Sequence, residues 1–268
     1  MIRTRIFSLG LAVIALIAAS PAARGGDAPA DDEEQIGKAI FEQLKTGGQI
    51  IATSRLYDYV TPVVTPIGKS AQPGYDHRLA FYLVHERQPN AFSVPGGNVY
   101  ITDELLYFAR NTEQLAGTVC HEVAHATNHD SMKLIQKEIR IARAEMGAAV
   151  LLGPSKGQLL AMALLGKLRS LSYSRDAESE ADLKGADICA ASGWNPWGLV
   201  WLLEDFERSD NNVQIPQMLS NHPDNTTRIA ALKQHFRENS AVFGSFSSNR
   251  SQAKPLAVPK DVPVVFLR

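Results

Sequence analysis

The sequence predicts a mixed α/β domain, mostly helical, with a small sheet beside its central helix. Two observations carry that reading. Apolar residues recur at helical spacing over most of the chain, and the runs rich in β-formers are short, three of them within residues 79–102. The composition permits such a fold: of 268 residues, 45% are apolar and 21% charged, the balance of an ordinary globular chain. Net charge is −1 at pH 7, so no broad positive field attracts nucleic acid and no nucleic-acid partner is expected. Two cysteines are too few for a disulfide framework or a cysteine-rich zinc site.

The elements follow in chain order. Arg3 and Arg5 precede the apolar run Ile6–Ala19, whose length of about 14 residues falls short of the roughly 20 a bilayer span needs. Ser20-Pro21-Ala22 then gives a small-x-small cleavage pattern. Residues 1–22 are thus expected to be a cleaved export signal that delivers the chain to a bacterial periplasm, and no cysteine follows that could carry a lipid anchor. Residues 23–32, rich in Ala, Gly, Pro and Asp, read as a linker, 33–238 as the domain, and 239–268 as an irregular tail. Ile36, Ile40 and Leu44 fall at i, i+4, i+8 and mark a first helix that Gly47-Gly48 ends. Thr53–Gly68 reads as a second helix, kinked or broken by Pro62 and Pro66.

Leu79–Glu86, Asn90–Val94 and Val99–Thr102 read as strands, the last two joined by the turn Pro95-Gly96-Gly97-Asn98. Helices are expected at Asp103–Arg110, Thr112–His129, Met132–Ala149, Gly157–Leu171, Ser174–Ala191, Pro196–Arg208 and Asn225–Phe236, and Val262–Leu267 can close as a terminal strand. Met146–Leu152 and Leu159–Leu168 are apolar, but Gly153-Pro154-Ser155-Lys156-Gly157 divides them, so neither half spans a bilayer. The stretch 146–168 reads as a partly buried helical hairpin or as a peripheral membrane contact.

The chemistry is concentrated in His121-Glu122-Val123-Ala124-His125. Residues four apart on a helix share a face, so both imidazoles can reach one metal ion, with Glu122 beside them to act on a metal-activated water. In a chain of this composition roughly 0.01 such patterns are expected by chance, so coincidence is a poor account of it. Leu115, Val119 and Val123 form a stripe on the other side, which predicts a helix with one buried face and one face on a cleft. His129 is too far for the same ion, about 12 Å along the axis from His121. The third ligand is better drawn from Ser174–Ala191, where Glu178 and Asp182 share a face. Glu178 is the ligand candidate, and Asp182 can hold the rear ring N–H of a liganding histidine. Glu180 points elsewhere and is expected to pair with Lys184 in solvent.

Taken together, these motifs resemble the HtpX and BepA type of zinc metalloprotease, the family that includes the CAAX prenyl proteases. Asn90-Ala91-Phe92 with Pro95-Gly96-Gly97 resembles its strand and turn before the active-site helix, and His121-Glu122-x-x-His125 its zinc motif. Glu178-x-x-x-Asp182 resembles its third-ligand helix, and His222-Pro223 with Arg228 its late segment. The resemblance implies a zincin-type (gluzincin) domain holding one zinc ion per chain on His121, His125 and Glu178, with Glu122 as general base and Asp182 behind a ligand. It implies unfolded or misassembled envelope proteins as substrates. Asn90, Ala91 and Phe92 are the expected edge for an added substrate strand. His222 either donates to the oxyanion, with Arg228 orienting its loop or adding positive charge, or lends its ring to the metal's open position and holds the enzyme off. The family's membrane-spanning helices and C-terminal helical repeats have no counterpart here, which points to a compact exported member.

Other readings belong to different classes. A non-proteolytic chaperone or assembly factor with a silent zinc site would not require Glu122, and a deformylase or amidase fits the export signal poorly. Cys120 and Cys189 are expected as buried free thiols, because Cys189 lies three turns past Glu178 while Cys120 adjoins His121. Trp194, Trp197 and Trp201 read as packing residues, and His77, His85 and His235 as surface residues without a partner pattern.

Overall fold

The computed structural model describes residues 30–146, 173–209 and 225–268. Helix α1 (Ala30–Thr46) buries Ile36, Ile40 and Leu44 as their spacing predicts. It starts at Ala30, so Ala30, Asp31 and Asp32, expected in the linker, are helical. The export signal, the expected helix Gly157–Leu171, all of 146–168 beyond Met146, and His222 lie outside the described residues.

The expected helix from Thr53 is corrected at its start. Ile51–Ser54 is strand β1, because it pairs antiparallel with β5 (Val264–Phe266) of the tail, a partner more than two hundred residues away. Helix α2 (Tyr57–Ala71) follows and runs unbroken through Pro62 and Pro66. Val60, Val63, Val64 and Ile67 are buried on its inner face, while Pro62 is exposed and Pro66 half-buried. The backbone bonds that the prolines forfeit therefore lie toward water, where the carbonyls can be solvated, and burial of the other face outweighs the loss.

A three-stranded sheet comes next, in the order β2 (Ala80–Val84), β4 (Asn98–Thr102), β3 (Ala91–Ser93). β2 is parallel to β4, and β3 is antiparallel to it with Phe92 opposite Tyr100. The turn between β3 and β4 uses Gly96 at φ 80° and Gly97 at φ 88°, a backbone region that excludes most side chains. Helix α3 (Asp103–Phe108) starts directly from β4, with Thr102 accepting from the amide of Leu105 as its N-cap.

Helix α4 (Thr112–Thr127) is capped by Asn111, whose side chain accepts from the amide of Gln114. Every residue along it from Gln114 to Thr127 is buried. The expected cleft-facing side is therefore corrected: α4 is enclosed by α2, β3, α6 (Arg175–Ala191) and α7 (Trp197–Ser209). Helix α5 (Asp130–Met146) begins after a sharp turn at His129, which sits at φ 55°. Helix α8 (Asn225–Glu238) packs on α6 and α7, and the short α9 (Ser240–Phe243) adds Phe243 to the cluster of Leu203, Phe206, Leu232 and Phe236. No helix among the described residues is long and apolar enough to cross a membrane.

Candidate metal centre

Helices α4 and α6 meet at Gly185. A Cβ there would come within 3.0 Å of the His121 Cα, so a larger residue would hold the two helices apart. This close approach brings Glu178 and Asp182 of α6 to the two histidines of α4. His121 Nε2 lies 3.1 Å from His125 Nε2, 3.7 Å from Glu178 Oε2, and His125 Nε2 lies 3.4 Å from Glu178 Oε1. All three side chains are buried. Zinc bonds of about 2 Å place tetrahedral ligand atoms about 3.3 Å apart, the spacing seen here.

The rear nitrogens fix the tautomers. His121 Nδ1 faces Asp182 Oδ1 at 2.9 Å, and His125 Nδ1 faces Asp130 Oδ2 at 2.9 Å. With both Nδ1 atoms donating to carboxylates, the two Nε2 atoms turn lone pairs toward each other, an arrangement that calls for a cation between them. Burial penalises the charge on His125, yet the hydrogen bonds of Asp130 and Glu178 raise it to about 9, so these carboxylates favour a positive charge here that a bound cation would supply in place of the ring proton, while burial holds His121 below its usual range. The donor set thus fits a divalent zinc ion.

Glu122, also buried, accepts a hydrogen bond from the Ser93 amide of β3 at 3.0 Å. In β3, Val94 donates to Asn98 and Thr102 donates to Asn90, so the backbone groups of Ala91 and Ser93 face away from β4. Ser93 shows where they go: its amide reaches Glu122, and its carbonyl accepts from Ser131 Oγ at 2.9 Å. The side chains of Asn90, Ala91 and Phe92 are buried, and Phe92 stacks on Tyr100 at 5.1 Å. The outward face of this edge strand is backbone rather than side chain.

Arg228 approaches from α8 and is buried. Its Nε and Nη2 donate to the two oxygens of Asp182, each at 2.7 Å, and its Nη1 lies 3.2 Å from Glu178 Oε2. Burial alone would push Asp182 up, but the guanidinium and His121 hold it at about 2. Arg228 is therefore placed to set Asp182 and Glu178.

Several sequence expectations are corrected around this site. Cys120 and Cys189 form a disulfide, with Cα atoms 5.7 Å apart. The two helices run antiparallel, with His125 near Glu178 and His121 near Asp182. Moving along α6 from Glu178 toward Cys189 therefore runs back along α4 from His125 toward Cys120, and the close approach of Gly185 to Cys120 and His121 brings Cys189, one turn on, within reach of Cys120. Lys184 donates to Asn128 Oδ1 at 2.7 Å, where it closes the C-terminal end of α4 instead of pairing with Glu180. His77 is buried rather than on the surface; His85 is exposed as expected, though it faces Asp103, and the half-buried His235 faces Asp187. Trp201 is buried, as expected for a packing residue.

Two contributors were not visible in the sequence pattern. Asp130 reaches His125 because the turn at His129 folds it back, and no spacing rule announces that. Tyr173 stacks on the His125 ring at 4.1 Å and shares a hydrogen bond with Ser131 Oγ at 2.9 Å. Its position just before the Ser174 N-cap of α6 was the available signal.

A helical α/β frame that buries such a donor set beside a carboxylate is that of a zincin-type metallopeptidase. The comparison with known families agrees: the chain belongs to peptidase family M48, which it matches over residues 46–235. It is similar to the beta-barrel assembly-enhancing protease of Escherichia coli K12, 27% identical over 207 residues, covering 74% of this chain and 42% of that protein. The protein of the same name from Yersinia pestis is 25% identical over 209 residues, covering 75% of this chain and 43% of its own length. The mitochondrial metalloendopeptidase OMA1 of Schizosaccharomyces pombe is 27% identical over 165 residues, 61% of this chain and 48% of that protein. The chain thus spans less than half the length of these relatives.

Proposed function

We propose that the chain is a zinc-dependent endopeptidase that hydrolyses peptide bonds in unfolded or misassembled cell-envelope proteins, exported to the periplasm by residues 1–22. The observation that carries this reading is the position of Glu122, a buried carboxylate that joins the edge strand β3 to the helix turn bearing both histidines. His121, His125 and Glu178 would hold a zinc ion, which would supply Lewis-acid polarisation of the scissile carbonyl and a more acidic water. Glu122 takes the proton of the attacking water and passes it to the leaving amine. Asp182 and Asp130 hold the two histidines in the tautomer that leaves Nε2 for the metal, and Arg228 fixes Asp182 in turn.

The substrate class follows from the edge strand. The outward backbone groups of Ala91 can pair with an extended segment, as in strand addition, while those of Ser93 are held by Glu122 and Ser131, and an unfolded chain supplies such a segment where a folded one does not. Two features support the compartment: the basic, apolar and small-residue order of residues 1–22, and a disulfide, which persists in oxidising surroundings. The names of the similar proteases point the same way.

Cleavage of casein or another unfolded protein tests the reading, with zinc measured in wild type and in Glu122→Gln. Wild type is expected to cleave, and Glu122→Gln to keep its zinc and lose turnover. A zinc-loaded wild type that cleaves nothing but suppresses aggregation of an unfolded protein would replace the peptidase with the assembly-factor reading.

A further inference from the structure

A second group of two histidines and a glutamate lies at the far end of α4. Glu33 comes from α1, His77 from the loop before β2, and His129 from the turn between α4 and α5. One possible ligand atom from each lies within 4.8 Å of the others. His129 Nδ1 is 2.9 Å from Glu33 Oε1, and His77 Nε2 is 3.6 Å from Glu33 Oε2. The glutamate–histidine separations of the catalytic set are 3.4 and 3.7 Å. We propose that Glu33, His77 and His129 bind a second divalent transition-metal ion, zinc in the first instance, that pins α1 and the His77 loop to the α4–α5 junction.

The cluster has the marks of a built site. Glu33 is 4% exposed and His77 8%, yet Glu33 Oε2 and His77 Nε2 have no hydrogen-bond partner and are aimed at each other. Native interiors seldom leave buried polar atoms in that condition, and one cation satisfies both. Two imidazoles and a carboxylate are a donor set suited to zinc, and an alkaline-earth ion would ask for oxygen throughout. Asp76 stands at the rim, 61% exposed, 3.7 Å from His77 Nε2 and 3.8 Å from His129 Nε2, where it can join the ion or hold the rear of His129. His129 is 36% exposed, so an ion has a path in and water can complete its shell.

The supports are in place before any ion binds. Gln72 Nε2 donates to the His77 carbonyl at 2.7 Å and Gln72 Oε1 accepts from the Leu79 amide at 2.9 Å, which fixes the loop. The Tyr75 ring lies 5.3 Å from His77 and 5.4 Å from His129 and walls the cluster. On the other side Gly96 lets the β3–β4 turn approach α1, since a Cβ there would fall 2.9 Å from the Glu33 carbonyl. The left-handed backbone of His129 aims its ring at Glu33 and, in the same turn, carries Asp130 back to His125. An ion at this cluster therefore steadies the carboxylate that orients a catalytic-site histidine.

Zinc content tests the proposal without any substrate, so it stands or falls separately from the peptidase reading. The full chain, without a histidine tag, is equilibrated with zinc chloride and stripped of loose metal by gel filtration. Wild type is expected to retain about two zinc ions per chain, and the double variant H77Q/H129Q about one, with an unchanged circular dichroism spectrum. The variant H121Q/H125Q is expected to keep about one zinc, and added zinc should still raise its Tm. Glu33→Gln serves as the second probe if H77Q/H129Q does not fold, and should also reduce the content to about one. The proposal is overturned if wild type retains about one zinc, or if neither H77Q/H129Q nor Glu33→Gln lowers the content, or if zinc leaves the Tm of H121Q/H125Q unmoved.

Discussion

The set His121, His125 and Glu178 and the set Glu33, His77 and His129 contain the same residue types and are put together differently. The first takes both histidines from one turn of one helix, so local geometry places them before the chain has any tertiary structure. The second gathers its members from three segments separated by 44 and 52 residues, since 77 − 33 is 44 and 129 − 77 is 52. The first is wholly buried with a carboxylate behind each histidine, whereas the second is open on the side of Asp76 and His129. On the proposed readings identical donors would serve different ends: sealing a set with Glu122 beside it would concentrate its electrostatics for chemistry, while an open set at the meeting of three segments would act as a staple.

The largest expected difference between the two is in turnover. Glu122→Gln should reduce peptide hydrolysis by about 10²–10⁴-fold with zinc retained at the catalytic set, because it removes only the proton carrier. A variant that kept full turnover would dissolve the distinction, since nothing in the second set carries a comparable base. Next come the carboxylates behind the histidines. Asp182→Asn and Asp130→Asn should each weaken zinc binding or activity by about 10–100-fold. Equal losses would show that both rear contacts matter, and a loss for Asp182→Asn alone would give His125 another source of orientation, with Tyr173 the nearest candidate.

The disulfide sharpens the contrast in how each set is held. Reducing Cys120–Cys189, or replacing both by serine, should lower unfolding stability by about 2–4 kcal/mol, measured by denaturant titration. It joins the two helices that bear the catalytic ligands and neither of the segments that bring Glu33 and His77. Zinc at the catalytic set should therefore become easier to remove, with the second set unaffected.

The smallest effect is a pH dependence away from both sets. Asp205 of α7 accepts from Gln114 of α4 at 2.8 Å and binds the Arg250 guanidinium of the tail. Burial pushes its carboxyl up, but the Arg250 and Gln114 hydrogen bonds bring it below the usual carboxylate range. A depressed folded-state pKa means that this stabilisation is complete above the unfolded value near 3.9 and is lost as pH falls through the folded one. Asp205→Asn should thus be less stable than wild type at neutral pH, and the gap should shrink in denaturant titrations run below about pH 4.

What was legible in the sequence is what depends on neighbours along the chain. The β3–turn–β4 unit and the helices α4, α6, α7 and α8 fell near their expected positions, because caps, turn glycines and apolar spacing act within a few residues. For the same reason His121, Glu122, His125 and the pair Glu178 and Asp182 could be named from i, i+1 and i+4 relations alone. The misreadings share the opposite cause. Thr53 went to a strand because the distant tail supplied its partner, and Pro62 and Pro66 stayed in a helix because solvent lay on their side. Cys120 met Cys189 because α6 runs back along α4, and His77 was buried because α1 and the α4–α5 turn close over it. The sequence by itself determined which side chains share a helix face. Only the tertiary structure decided which faces meet, since that depends on helix direction and on close approaches such as the one at Gly185, where one small residue sets the distance between two helices.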